Sequence, residues 1–154
     1  MPIIEKPDDM PARRGTIYPA PLDEGFEGRV KRSLTQALGL SQFGVNLTTL
    51  EPGAKSSHRH WHAHEDECIY VVSGEVTLIL DDGAHRLTAG MVAGFPAGDT
   101  NAHHLVNLSA QPATYLEIGS RSEVESATYA DVDLRAEKSG GVYRFLHKNG
   151  TPYE

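Results

Sequence analysis

Basic charge, aromatic rings and cysteine are all scarce in this chain. Fourteen lysines and arginines face 21 aspartates and glutamates, leaving a net charge of -7 and a pI near 5.6. Nucleic acid is therefore not an expected partner, because phosphate backbones are held by clustered Lys and Arg. An anionic membrane surface is disfavoured for the same reason. One cysteine, Cys68, excludes an internal disulfide framework and is neutral about compartment. No apolar run approaches the ~18 residues of a membrane span, and no secretory leader is recognisable. A cytoplasmic location is the resulting expectation. Only 7% of residues are aromatic, against 15 glycines and 9 prolines. At 154 residues that composition suits one turn-rich β domain with a single core.

What the chain does have is histidine in one place. Four of its eight histidines stand at 58, 60, 62 and 64, followed by Glu65, Asp66 and Glu67. Neutral imidazole and carboxylate are the ligands that borderline divalent metals prefer. Alternate residues of a strand share a face, so an extended stretch would present all four histidines to one side. Glu67 has the opposite parity, so a turn or bulge is expected between His62 and Glu67. The run Cys68-Ile69-Tyr70-Val71-Val72 reads as a strand. A histidine strand and a returning carboxylate strand would then pair antiparallel. The cluster is neither terminal nor consecutive, unlike a purification tag.

Along the chain, residues 1–28 carry five prolines and much charge, and read as an arm without regular structure. Residues 29–40 suit a short helix or an edge strand. Strands are expected at 42–50, 67–72, 75–80, 84–88, 91–95, 102–108 and 113–119, punctuated by Glu51-Pro52-Gly53, Ser73-Gly74, Asp82-Gly83 and Pro96/Gly98. Turn signals at this spacing indicate a barrel or sandwich. The polar tail 121–154 shows one possible strand, Val142 to Leu146. The domain reading is a single unit, with an arm at 1–40, a barrel core at 41–120 and a C-terminal extension at 121–154.

Two spacings then resemble the cupin superfamily. The first cupin motif places glycine, five residues, His-x-His, three or four residues, Glu, six residues and Gly in order. Here Gly53 is followed by six residues, His60-Trp61-His62, four residues, Glu67, six residues and Gly74. The second motif places glycine, five residues, Pro-x-Gly, two residues, His, three residues and Asn. Gly90, Pro96-Ala97-Gly98, His103 and Asn107 follow it except for a two-residue insertion before the histidine. Asn101 stands at the strict histidine position, and Met91 stands where many cupins have Asp. His104 rivals His103, since strand parity does not choose between neighbours. The flanks are similar to those of short bacterial single-domain cupins without an assigned activity.

The resemblance implies an all-β, jelly-roll (double-stranded β-helix) barrel with an irregular N-terminal arm. It implies one divalent transition metal, Fe, Mn, Ni, Zn or Cu, held by His60, His62, Glu67 and His103. His58, His64 and His104 are the alternative ligands, or groups that orient the ligands. Three imidazoles and a carboxylate would leave room for water or substrate. The expected function is metal-dependent chemistry on a small oxygen-rich organic molecule, of oxygenase or isomerase/lyase type. The competing expectations are a non-catalytic small-molecule binder or sensor, and a metal-free isomerase-like barrel using histidine as a base. Tyr70, Arg86, Tyr115 and Glu117 lie on expected strands, where register decides which face the cavity. Trp61 should point away from the metal. Asn107 reads as structural, and His85 and His147 as ordinary. Exposed sheet edges and the long arm suggest a homodimer.

Overall fold

The computed structural model describes residues 2–154 and is built almost wholly of antiparallel strands. In chain order these are β1 (Ala12–Arg14), β2 (Arg29–Ser33), β3 (Phe43–Leu50), β4 (His60–His62), β5 (Glu67–Ser73), β6 (Glu75–Leu80), β7 (Gly83–Thr88), β8 (Val92–Phe95), β9 (His104–Val106), β10 (Ala113–Ser120), β11 (Glu125–Tyr129), β12 (Arg135–Ser139) and β13 (Val142–Leu146). One sheet runs β1-β2-β3-β10-β5-β8. Two shorter sheets, β13-β12-β11-β4 and β7-β6-β9, meet where His60 and His103 exchange both backbone hydrogen bonds. Together those two sheets face the six-stranded one, which is the jelly-roll arrangement.

The core lies between the faces. Leu50, Ile69, Val71, Val76, Leu78, Leu105 and Ala113 are buried on alternate strand positions. Burying each of the larger aliphatic side chains contributes ~1.5–3 kcal/mol. A second cluster, Ala127, Tyr129, Leu134 and Ala136, seals the C-terminal sheet with help from Tyr18 and Phe145. Gly74, with φ of 73°, makes the β5–β6 turn. A Cβ there would stand 2.7 Å from the Pro112 carbonyl, so the turn excludes every other residue. Opposite Thr114 and Tyr115 the register shifts by one residue, Val72 being the extra one, and this bulge bends β5 beside the cavity.

Three expectations need correction. The histidine strand does not pair with the carboxylate strand. β4 pairs with β11, whereas β5 lies between β10 and β8 in the opposite sheet. Residues 63–66 carry the chain across the barrel rather than back along itself. The polar tail holds three strands, not one, because β11 and β12 bury alternating residues that include Glu125 and Lys138. The N-terminal region contains a 3-10 turn at Pro7–Asp9 and two strands. β1, only three residues long, forms by edge pairing with β2, which is too short a run to show alternation. Otherwise residues 2–28 are irregular, and 29–33 form a strand rather than the helix, one place in from the edge because β1 pairs outside it.

Candidate metal centre

β4 is three residues long, and this decides which histidines meet. His60 and His62 project from the same face, while Trp61 lines a smaller cavity of about 260 Å³ that His62, Phe95 and His103 also border. His60 Nε2 lies 3.1 Å from His62 Nε2. Glu67 reaches them from the opposite sheet, its Oε2 3.3 Å from His62 Nε2. Ligand atoms of His60, His62 and Glu67 all fall within 4.8 Å of one another. His103, opposite His60 on the neighbouring segment, brings its Nε2 to 3.7 Å from Glu67 Oε1 and stacks on Phe95 at 3.6 Å.

The neighbouring histidines go elsewhere. His58 donates a ring N–H to the Leu22 carbonyl at 2.8 Å and packs against Tyr18 and Phe26. Its backbone carbonyl accepts from His60 Nδ1 at 2.9 Å. His64 is exposed, its Nδ1 3.7 Å from Glu125. His104 donates from Nδ1 to the Ser57 carbonyl at 2.8 Å. The expectation that all four even-numbered histidines share a face therefore fails. The chain is extended only through 60–62, and His58 and His64 sit in turns outside β4.

The protonation pattern of the cluster fits a cation. Burial, and then the neighbouring His62 and His103, push the His60 imidazole down to about 3. It is neutral, and because Nδ1 carries the proton given to the His58 carbonyl, its Nε2 lone pair faces the cluster. Burial alone would raise Glu67, but the adjacent His103 and His62 imidazoles outweigh it and hold the carboxyl well below its usual range. His62 is lowered by burial and raised more by Glu67. The result is an ionised carboxylate beside an imidazole lone pair, with His103 Nε2 buried and without a hydrogen-bond partner. Such a donor set is what a divalent ion satisfies.

Sequence reasoning missed the support beneath His62. Glu125, fully buried on β11, accepts backbone N–H bonds on Oε1 from Ala63, His64 and Ser126 at 2.9, 3.1 and 2.6 Å. Its Oε2 and the Nδ1 of His62, 3.9 Å apart, are both buried without another partner. Glu65 is likewise buried, held by Lys138 and the Ser122 N–H. A buried carboxylate in a polar tail leaves no periodic signal, so only the β4–β11 pairing reveals it. Asn107 is structural, its amide donating to the Leu50 and Gln111 carbonyls. Tyr115 and Glu117 face the interior, whereas Tyr70 and Arg86 are exposed.

The cluster opens into a cavity of about 1010 Å³. Glu67, Ile69, Tyr115, Glu117, Lys31, Arg29 and Arg13 line it from the inward face of the six-stranded sheet. Lys31 Nζ bonds Glu117 Oε1 at 2.6 Å, and Asn46 donates to the same oxygen at 3.2 Å.

A search of curated proteins gave no match. The cupin domain family matches residues 46–119. A crystal structure of a sugar phosphate isomerase of the cupin superfamily from Silicibacter pomeroyi is 44% identical, with a TM-score of 0.91 over 96% of this chain and 94% of that one. A provisionally assigned sugar phosphate isomerase from Acidithiobacillus ferrooxidans is 29% identical, with a TM-score of 0.73 over 82% of this chain and 80% of that one. A polyketide cyclase from Streptomyces resistomycificus shares the fold at 22% identity and a TM-score of 0.63, over 78% of this chain and 80% of that one. Two motifs, a jelly-roll barrel and a full-length relative lead to one conclusion: this chain belongs to the cupin superfamily.

Proposed function

We propose that this chain is a metal-dependent isomerase acting on a small phosphorylated sugar. His60, His62, Glu67 and His103 would hold one divalent transition ion. The convergence of three imidazoles and an ionised carboxylate at the wall of a large cavity carries the reading. The likeness to a sugar phosphate isomerase supports the choice of isomerase over oxygenase. Bound there, the ion would supply Lewis-acid polarisation of the sugar's carbonyl and hydroxyl oxygens.

The protein's own groups do the rest. Aldose–ketose interconversion needs one base to carry a proton between adjacent carbons. Glu117 suits that task. It faces the cavity and is engaged by Lys31 and Asn46 through Oε1 only, which leaves Oε2 for substrate. Glu125 keeps the His62 ring oriented, and the His58 carbonyl fixes the His60 tautomer. Phe95, stacked on His103, shields the cluster from water on that side.

The test is incubation of the metal-loaded protein with a panel of aldose and ketose monophosphates in D2O, followed by NMR. Interconversion with deuterium entering at the carbon next to the carbonyl is expected. Neither product nor exchange from protein of full metal content would overturn the isomerase reading. A binder or sensor, the competing reading, would then stand.

A further inference from the structure

The cavity wall remote from the histidines is cationic, although the chain as a whole is acidic. β1 adds to β2 so that Arg13 lies opposite Lys31, and Lys31 in turn lies opposite Thr48 of β3, which faces Tyr115 of β10. Arg29 is two residues from Lys31 on the same inward face and is 8% exposed. Its Nη1 donates to the Gly15 carbonyl at 2.9 Å, while its Nε is buried with no hydrogen-bond partner. The hydroxyls of Thr48 and Tyr115 are also buried and unpartnered. Lys31 is neutralised by Glu117, whereas neither Arg13 nor Arg29 forms an ion pair among the described residues.

Two guanidiniums on one cavity wall, neither with an ion-pair partner and with the one nearby carboxylate, Glu117, already bound to Lys31, are costly unless something negative arrives. Their influence on each other is visible in Arg13, which is lowered first by burial and then by the charge of Arg29. Guanidinium forks match the oxygens of a phosphate and bind it bidentately. β2 is three strand spacings from β5, or roughly 14 Å at the usual ~4.8 Å spacing. Long side chains reaching inward from both walls shorten that gap to the scale of a small sugar phosphate.

We propose that Arg13 and Arg29 form an anion subsite that seats the phosphate of a sugar monophosphate whose carbonyl end reaches the histidine cluster. Naming the anion a phosphate ester rests on the isomerase reading; the subsite itself rests on two guanidiniums that form no ion pair and on the buried, unpartnered Arg29 Nε. β1 and β2 thereby become binding elements rather than an edge of the barrel.

The test is calorimetric titration of metal-loaded protein with ribose 5-phosphate, ribose and inorganic phosphate. Wild type should bind ribose 5-phosphate far more tightly than ribose, and inorganic phosphate should compete. Arg29→Met should weaken ribose 5-phosphate by ~10-fold or more, with metal content unchanged, as loss of a charged hydrogen-bonding partner predicts. Arg29→Lys should recover part of that loss. Should the buried substitution unfold the protein, Arg13→Gln at the exposed edge gives the same answer, with an expected loss of several-fold. Equal affinity for ribose and ribose 5-phosphate, or unchanged phosphate affinity in a folded Arg29→Met or Arg13→Gln variant, overturns the subsite. The two readings fail separately. Arginine-dependent phosphate binding without isomerisation removes the isomerase reading alone. Isomerisation with KM untouched by these substitutions removes the subsite alone.

Discussion

The two ends of the cavity are made of opposite materials. The histidine end is assembled at the middle of the fold from β4, β5 and the segment before β9, with His60 held by the His58 carbonyl, His62 beside Glu125 of β11 and His103 beside Glu67. The arginine end comes from two strands at the sheet's edge, near the start of the chain, with charge to spare. One end is built so that its protons are fixed before anything binds. The other is built with a charge imbalance that only a ligand removes. Preorganised ligands cost affinity little on binding, whereas an unbalanced charge supplies attraction at the expense of the empty protein's stability.

The largest expected difference between the ends is in their response to acid. In the metal-free protein the folded state keeps His60 neutral down to about 3, whereas the unfolded chain takes up that proton near 6.5. Between those values the unfolded state binds more protons, so stability rises as pH climbs. From pH 4.5 to 6.5 the gain should be ~2–3 kcal/mol, read by urea denaturation after metal removal. His62 is raised rather than lowered, so towards the top of that window the folded state keeps a proton that the unfolded chain begins to release, which opposes part of the slope. His58 and His104, lowered chiefly by burial, add to the slope, so His60→Gln should reduce it without abolishing it. No reduction would mean that the ring is not kept neutral by its surroundings.

Next in size, His62→Ala should lower metal occupancy at least ~10-fold, measured by elemental analysis of untagged protein, while inorganic phosphate binding persists. Unchanged metal content would remove His62 from the ligand set. Glu125→Gln keeps the shape but replaces the carboxylate facing His62 Nδ1 with an amide. A loss of metal affinity of up to ~10-fold is expected in a chelator competition, smaller than that of His62→Ala. An effect equal to His62→Ala would make Glu125 a ligand rather than a support. The smallest effect belongs to His104→Ala, which should leave metal content and phosphate affinity at the wild-type level. A clear loss of metal there would shift the fourth imidazole from His103 to His104.

Much of the barrel was legible because buried strands and tight turns leave local marks. Residues 67–72 and 75–80 alternate around the Ser73-Gly74 turn, and both strands stand where the pattern places them. His60, His62 and Glu67 lie within 4.8 Å of one another and His103 lies 3.7 Å from Glu67; the two motif spacings single out these residues, which parity alone does not do. Parity misled at His58 and His64, because a strand of three residues cannot carry a pattern of seven. It also misled about Glu67, which reaches the cluster by facing it across the barrel, not by returning alongside. β11 and β12 were hidden since their interior includes Glu125 and Lys138, charges that are solved by pairing with distant groups. Arg13 and Arg29 carried no signal at all. Their meaning depends on edge pairing, which joins residues 12–14 to 30–32 and is invisible to any local window.

The edge addition of β1 has an evolutionary consequence. A segment of three residues, attached by one ladder to the outermost strand, furnishes a specificity element while touching none of the histidine cluster. Such a strip can be lengthened, shortened or recharged by a few substitutions without disturbing the histidine cluster, so related barrels can differ in what their rim admits while keeping one centre.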